Sequence, residues 1–360
     1  MLTGYAPAAS VTLSQAIRKR PEWAAALDPY ARPRLGRSLL DFATSVVPYL
    51  ALMVVMYRLL DVSYLLVLAV AIPASGFLLR SFILFHDCTH GSFLPSRKWN
   101  NRFGVAVGLL VMQPFYNWRH HHVAHHGSAG DLDRRGTGDV PTLTVAEYQA
   151  RGWKGRLGYW LFRHPLVMFG LGPIWSLVIG PRFLPSNATK QMRRSVIGTN
   201  VALAVMITGL CFALGWWEYL LIQLPTVVLA GTAGVWLFYV QHQFEDVYWE
   251  SSDNWSYTDA ALQGSSYLKL PQPLQFFTGN IGLHHVHHLN ARIPNYNLQR
   301  AHDENEIFHQ VPILTFWQGI RSVRLKLWDE KRGRLVTFAE ARRHAREERV
   351  SPKPASVSAG

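Results

Sequence analysis

The chain has 360 residues, 49% of them apolar and only 16% charged, and Lys and Arg outnumber Asp and Glu by 36 to 23, a net charge of +13. That composition excludes a disordered chain and fits a membrane protein with extramembrane segments. The two cysteines, Cys88 and Cys211, exclude a disulfide framework and fit a reducing compartment.

Residues 1–41 form an N-terminal segment interrupted by Pro7, Pro21, Pro29 and Pro33. It has no short apolar core with a small-residue cleavage site, so it is expected to stay on the cytosolic side. Residues 42–60 and 63–85 are then apolar for about 20 residues each, enough to cross a bilayer as helix. Only Asp61-Val62 separates them, which implies a tight hairpin.

Residues 103–115 are apolar but too short to span. Residues 157–179 are long enough, yet Arg163-His164-Pro165 and Gly172-Pro173 break them, and a re-entrant or interface-lying segment is expected. A second pair of spans, 196–214 and 219–240, is joined by Gly215-Trp216-Trp217-Glu218, whose tryptophans suit an interfacial belt. Two hairpins put the N-terminus, residues 86–195 and residues 241–360 on one side. Nearly all Lys and Arg lie there, which makes that side cytosolic and suits an anionic lipid surface rather than nucleic acid.

Residues 301–360 read as a cytosolic C-terminal region. Within it, 316–328 put Trp317, Ile320, Val323 and Leu327 on one side of a helix lying on the membrane. Thr337-x-x-Glu340 opens a further, charged helix with a capping box. Ser351–Gly360, with Pro352 and Pro354, is expected to be disordered. The fold expected is thus an all-α membrane protein, its core domain spanning residues 42–300. Four transmembrane helices in two hairpins carry a cytosolic, histidine-rich helical cap.

Of sixteen histidines, twelve fall in or beside four places: His86–His90, His120–His126, His242 and His284–His288. His86 and His90 are four apart and share a helical face. His122, His125 and His126 have an i, i+3, i+4 spacing, and His284, His287 and His288 repeat it. With His242 directly after the last span, these helices offer nine imidazoles, too many for one metal and suited to two. Carboxylates at ligand spacing are nearly absent, unlike the Glu-x-x-His bundles of soluble di-iron proteins. Cys88 points off the His86/His90 face and is assigned to packing; His164, His302, His309 and His344 read as ordinary satisfied polar residues.

The order His86-Asp87-Cys88-Thr89-His90, then His122-x-x-His125-His126, then His284-x-x-His287-His288 after paired spans resembles the integral-membrane fatty acid desaturases. The flanks FHDCTHGSF (85–93), Trp118, GDLDRRGTGDV (130–140) and FYVQHQFEDVYW (238–249) look like the bacterial acyl-lipid branch, Δ12 (omega-6) type. The resemblance covers about Phe82 to Pro294. It implies a di-iron centre, dioxygen as co-substrate, two electrons from an external donor and removal of two hydrogens from an acyl chain, lipid-linked, at a bacterial inner membrane. It also implies ligand roles for His86, His90, His122, His125, His126, His242, His284, His287 and His288.

Asp87, Asp246 and Asn280 are close enough in sequence to hold ligand imidazoles by their second nitrogen; His120, His121 and His285 match no required box position and are expected to be substitutable or, His121 and His285 above all, to support the ligands from behind. The only His-Pro, His164-Pro165, is not a haem motif, and no cysteine cluster is present for iron–sulfur. The donor is therefore expected to be a separate ferredoxin-like or small haem protein. A hydroxylase of the same superfamily is the alternative. A metal transporter is disfavoured, because its ligands would lie at mid-bilayer.

Overall fold

The computed structural model describes residues 21–350, apart from Thr137 and the side chains of residues 348–350. The expected disorder of Ser351–Gly360 and the first half of the N-terminal segment lie outside the described residues.

Among the described residues four helices have the length and composition of spans. They are α1 (Leu35–Leu59) and α2 (Tyr64–His90) and, after α3 (Arg97–Leu110), α4 (Phe115–Ser128) and α5 (Trp153–Phe162), α6 (Lys190–Leu214) and α7 (Trp216–His242). Each extends beyond its apolar run because the backbone ladder continues into the polar residues at its end. That is how α2 carries His86 and His90, and α7 carries His242, past the apolar stretch. Gly91, at φ +72°, stops α2, and the Ser92 amide closes onto the Asp87 carbonyl at 3.0 Å.

α1 packs on α2, α2 on α7 and α6 on α7. Their outer faces leave Phe212 90%, Leu65 77% and Val205 71% exposed, a surface suited to hydrocarbon rather than water. The second connection is shorter than expected. Gly215 alone joins α6 to α7, at φ +92°, a conformation glycine adopts without steric cost. Trp216 and Trp217 therefore belong to α7, their rings stacked 4.0 Å apart.

After α5 the chain bends by 55° at His164-Pro165 and runs through wide helical turns over 167–179 to a short turn at Gly180–Arg182. Pro165 lacks the amide that would continue α5. Beyond α7 follow α8 (Gln272–Phe277), α9 (His284–Leu289), α10 (Phe316–Ser322) and α11 (Phe338–Val350). Leu79, Ile83, Leu237 and Val240 of the spans bury Leu283, Val286 and Leu289, so one apolar cluster seats α9 on α2 and α7.

The chain is mostly helical rather than all-α. Five strands of two or three residues are present among the described residues: β1 (Leu143–Thr144), β2 (Tyr267–Lys269), β3 (Ile313–Thr315), β4 (Leu327–Asp329) and β5 (Arg334–Val336). β1 pairs parallel to β4, β4 antiparallel to β5, and β2 parallel to β3. Strands so short carry no readable period-two pattern. They join the 313–336 region to the segments on either side of α7.

The helix expected over 316–328 ends at Ser322. Its first part keeps Trp317 69% and Ile320 44% exposed, but Leu327 and Trp328 are buried in β4. Their backbone hydrogen bonds go to the β4–β5 hairpin, where the Lys326 amide donates to the Val336 carbonyl at 2.9 Å. The capping box is present: Thr337 N donates to Glu340 Oε2 at 2.8 Å, and Glu340 N to Thr337 Oγ1 at 3.1 Å.

Lys326 is buried, and among the described residues its Nζ has no hydrogen-bond partner, only the Tyr239 ring 5.7 Å away. Burial, with the charge of Arg163, pushes its ammonium down to about 7 from 10.5. The unfolded chain then holds the proton that the folded chain gives up, so stability rises with pH between 7 and 10.5. Lys326→Met is expected to raise the thermal unfolding temperature at pH 7 and to flatten that pH dependence, as read by scanning fluorimetry in detergent.

Candidate metal centre

On a helix, residues four apart nearly superpose in direction while adjacent ones diverge by about 100°. The i, i+3, i+4 spacing therefore divides each histidine ridge between two directions. In α4, His122 and His126 face one way and His125 the other; in α9, His284 and His288 pair off and His287 turns away. The structure uses this division. His86, His90, His122, His126 and His287 form one group, and His125, His242, His284 and His288 form a second, with the ring nitrogens of each group within 4.8 Å of one another. The His126 and His288 rings stack at 4.1 Å and join the two groups.

Several of these nitrogens confront one another. In the first group, Nε2 of His126 lies 3.2 Å from Nε2 of His122 and 3.0 Å from that of His287. In the second, Nε2 of His242 lies 3.1 Å from that of His125 and 2.9 Å from that of His284. His242 Nε2 thus faces two nitrogens, and one proton cannot satisfy both contacts. His90 Nε2, His126 Nδ1, His284 Nδ1 and His288 Nε2 are buried without a protein partner. Burial first, and then the neighbouring imidazoles, hold His122, His126, His284, His287 and His288 well below the usual histidine range. They are neutral, the form that donates a lone pair to a metal. Convergent lone pairs in a buried site are what a bound cation would satisfy, so the donor set fits a metal in each group.

Second nitrogens are fixed by other groups. His86 Nδ1 lies 3.2 Å from Asp87 Oδ1, and Asp87 Oδ2 accepts from the Asn295 amide at 2.8 Å and its Nδ2 at 3.0 Å. Asn295 also bonds Asp41 at 2.9 Å, which in turn pairs with Arg80. His125 Nδ1 lies 2.5 Å from Asp139 Oδ1. His242 Nδ1 donates to the Gly264 carbonyl at 3.2 Å. Each bond fixes a tautomer with Nε2 aimed into its group. Trp118 stacks on His122 at 4.3 Å, and Phe238 covers His125 at 5.2 Å and His242 at 5.4 Å.

Of the residues expected to brace ligands, Asp87 contacts an imidazole of the groups, that of His86. Asp246 is exposed and touches no imidazole among the described residues. Asn280 turns its Nδ2 to the Asn295 carbonyl at 3.1 Å, its own backbone at φ +58°. His285 faces away from both groups, its Nε2 3.0 Å from His302 Nδ1. His121 is half-buried with its ring 5.5 Å from exposed His120, and it belongs to neither group. Cys88 is buried outside both groups.

Asp139 lies in the 130–140 segment and was not among the residues expected to hold an imidazole. Gly138 is what brings it in. At φ +75°, it lies so close to α4 that a Cβ would sit 2.9 Å from the His121 carbonyl and 3.0 Å from His125 Cβ. The rest of that loop does brace itself, Asp131 pairing with Arg134 at 2.5 Å.

A family model described as fatty acid desaturase matches residues 62–317. A fatty acid desaturase of Bacillus subtilis is 44% identical over 86% of this chain and 88% of its own length. More distant similarity reaches two proteins of Synechocystis. An sn-1 oleoyl-lipid 12-desaturase is 26% identical over 62% of this chain and 63% of its own length. An sn-1 acyl-lipid omega-3 desaturase (ferredoxin) is 28% identical over 61% and 62%.

Asp139→Asn and Asp87→Asn are each expected to weaken metal binding by about 10–100-fold. Asp246→Asn is expected to leave it unchanged. Titration of metal-stripped protein, followed by metal analysis, distinguishes them.

Proposed function

Because the chain belongs to the fatty acid desaturase family, we propose that it desaturates an acyl chain at a centre of two irons. The ligands in this reading are His86, His90, His122, His126 and His287 for one, and His125, His242, His284 and His288 for the other. The observation that carries it is the pair of convergent, buried histidine groups at the ends of apolar spans, beside an apolar cavity.

The reaction balances as R–CH2–CH2–R′ + O2 + 2 e− + 2 H+ giving R–CH=CH–R′ + 2 H2O. No side chain can take hydrogen from an unactivated methylene, and iron bound here would supply the dioxygen-derived oxidant for that step. The protein orients and shields. Asp87 and Asp139 hold His86 and His125, while Trp118 and Phe238 pack against the imidazoles and exclude water.

A cavity of about 410 Å³ lies between α2, α7, α8 and Phe316, walled by Ile72, Gly76, Leu79, Trp236 and Phe277. Its size is that of a small-ligand site and its lining suits an alkyl chain. The two Synechocystis relatives, by name, act on lipid-linked acyl chains, and the name of one of them includes ferredoxin. A glycerolipid substrate, Δ12 or a neighbouring position, and a ferredoxin-like or small haem donor complete the reading.

The four apolar helices and the family make this a membrane protein. In our reading α1–α2 and α6–α7 are the two hairpins, and the histidine-bearing cap lies on the cytosolic side of a bacterial inner membrane. A full crossing by residues 153–182 would put His242 and α9 on the opposite side from α2 and α4. Their convergence supports a re-entrant segment and four spans. Exposed Arg34, Arg37, Arg97, Lys98, Lys190, Arg193 and Arg194 sit at the span ends nearest the histidines, as the excess of cations on cytosolic faces requires.

The test is the fatty acid profile, by gas chromatography with mass spectrometry, of a desaturase-poor host carrying a matched electron donor. Expression should add an unsaturated product, and His125→Ala should reduce it at least about 100-fold. A hydroxylated product without a new double bond would contradict desaturation. In Gly76→Leu the new Cβ would stand 2.7 Å from the Phe277 ring, so the side chain should fill the cavity and shift products toward shorter chains.

A further inference from the structure

The loop bearing Asp139 and the turn after His242 meet on one side chain far from either in sequence. Arg163 is completely buried, the bulkiest fully buried side chain among the described residues, and no carboxylate pairs with it there. Nη1 donates to the Pro141 carbonyl at 2.8 Å and to the Thr142 and Tyr159 hydroxyls at 3.2 Å each. Nη2 donates to Gln243 Oε1 at 2.9 Å, and to the Tyr239 hydroxyl and the Leu325 carbonyl at 3.2 Å each. All six acceptors are neutral. They come from the 139–142 loop, α5, α7 with the residue after it, and the approach to β4.

Burying a guanidinium without a counter-ion is costly, and a methionine would pack at less expense. The position of the acceptors shows what the cost supports. Gln243 follows His242 directly, and its Nε2 donates back to the His242 carbonyl at 3.1 Å. The Thr142 hydroxyl also reaches Gln243 Oε1, at 3.2 Å. Pro141 and Thr142 anchor the loop whose Asp139 lies 2.5 Å from His125 Nδ1. His125 and His242 then meet with Nε2 atoms 3.1 Å apart. The two strings of contacts leaving Arg163 end on two members of the same four-histidine group.

We propose that Arg163 is a positioning residue for that group. Its planar fork sets the separation between the Asp139 loop and the Gln243 turn, and through them the separation of His125 from His242. The inference rests on the reading of the group as a metal site. Lysine would keep the charge but not the fork, since an ammonium is a point donor with three N–H groups that cannot bridge these six acceptors. The five-histidine group has its own support in Asp87, Asn295, Asp41 and Arg80, with no contact to Arg163 among the described residues. Loss of the fork should therefore act on one group and spare the other.

The experiment uses the full chain in detergent, stripped of metal and titrated with iron(II), and with cobalt(II) for its visible spectrum. Thermal unfolding of the metal-free protein is the control for folding. Wild type should bind two equivalents. Arg163→Lys should unfold within a few degrees of wild type yet bind one equivalent at wild-type affinity and the second about 10–100-fold more weakly, with half the cobalt bands changed. Adding Asp139→Asn to Arg163→Lys should weaken the second site no further than the stronger single effect, because both act through His125. Two wild-type affinities in Arg163→Lys, or equal weakening of both sites, would overturn the proposal. Should Arg163→Lys fail to fold, Gln243→Leu, which leaves five acceptors in place, decides by the same readout. A wild-type chain that binds no metal would defeat the metal-site reading itself, a result separable from a variant that behaves like a metal-replete wild type.

Discussion

Nine imidazoles gathered together, buried except for the half-buried His90 and His126, with nitrogens facing nitrogens at 2.9 to 3.2 Å, are the arrangement on which the rest of the molecule depends. Left to themselves they would carry unsatisfied lone pairs in a site closed to water, at a cost of about 1–3 kcal/mol for each buried polar atom without a partner. Cations bound there would convert that cost into binding energy and would couple folding to metal loading. The surroundings keep the imidazoles neutral and aim them, and that accounts for much of the polar structure outside the spans.

The fold meets this requirement by bringing four distant segments to one level. α2 and α7 deliver His86, His90 and His242 at the ends of spans, while α4 and α9 supply residues to both groups because of their i, i+3, i+4 spacing. Each group is then braced from outside. One brace runs from His86 through Asp87, Asn295 and Asp41 to Arg80, and the other from His125 through Asp139 and its loop to Arg163. The short strands and the 313–336 region close over the second brace, since Leu325 supplies one of the Arg163 acceptors. The apolar cavity lies between α2, α7 and α8, its walls including Leu79 and Leu237 of the two helices that carry His86 and His242.

Much of this was legible in the sequence because two signals are strong there. Apolar runs of about 20 residues mark the spans. Histidines at helical spacing mark the groups, and their division into five and four is implicit in residues three and four apart pointing differently. Asp87 was legible because it adjoins His86, one of the clustered histidines. Asp139 was not, since its approach to His125 depends on Gly138 holding a positive φ against α4, and Asp246, nearer to His242 in sequence, turned out to be exposed. Asn280 and Asn295 show the same limit: the nearer residue to α9 bonds a backbone carbonyl, and the farther one holds Asp87. The strands were invisible because each is only two or three residues long and two of the three pairings join distant segments, Leu143 with Leu327 and Tyr267 with Ile313; α10 ends early because the chain after it pairs in the β4–β5 hairpin.

The measurement that bears most directly on the central claim is X-ray absorption at the iron edge of the purified, iron-loaded chain. Imidazole scattering corresponding to an average of four to five rings per iron, without sulfur and with little carboxylate, is the expected result for groups of five and four histidines. An average of about two imidazoles, or a shell dominated by carboxylate oxygen as in soluble di-iron bundles, would contradict it.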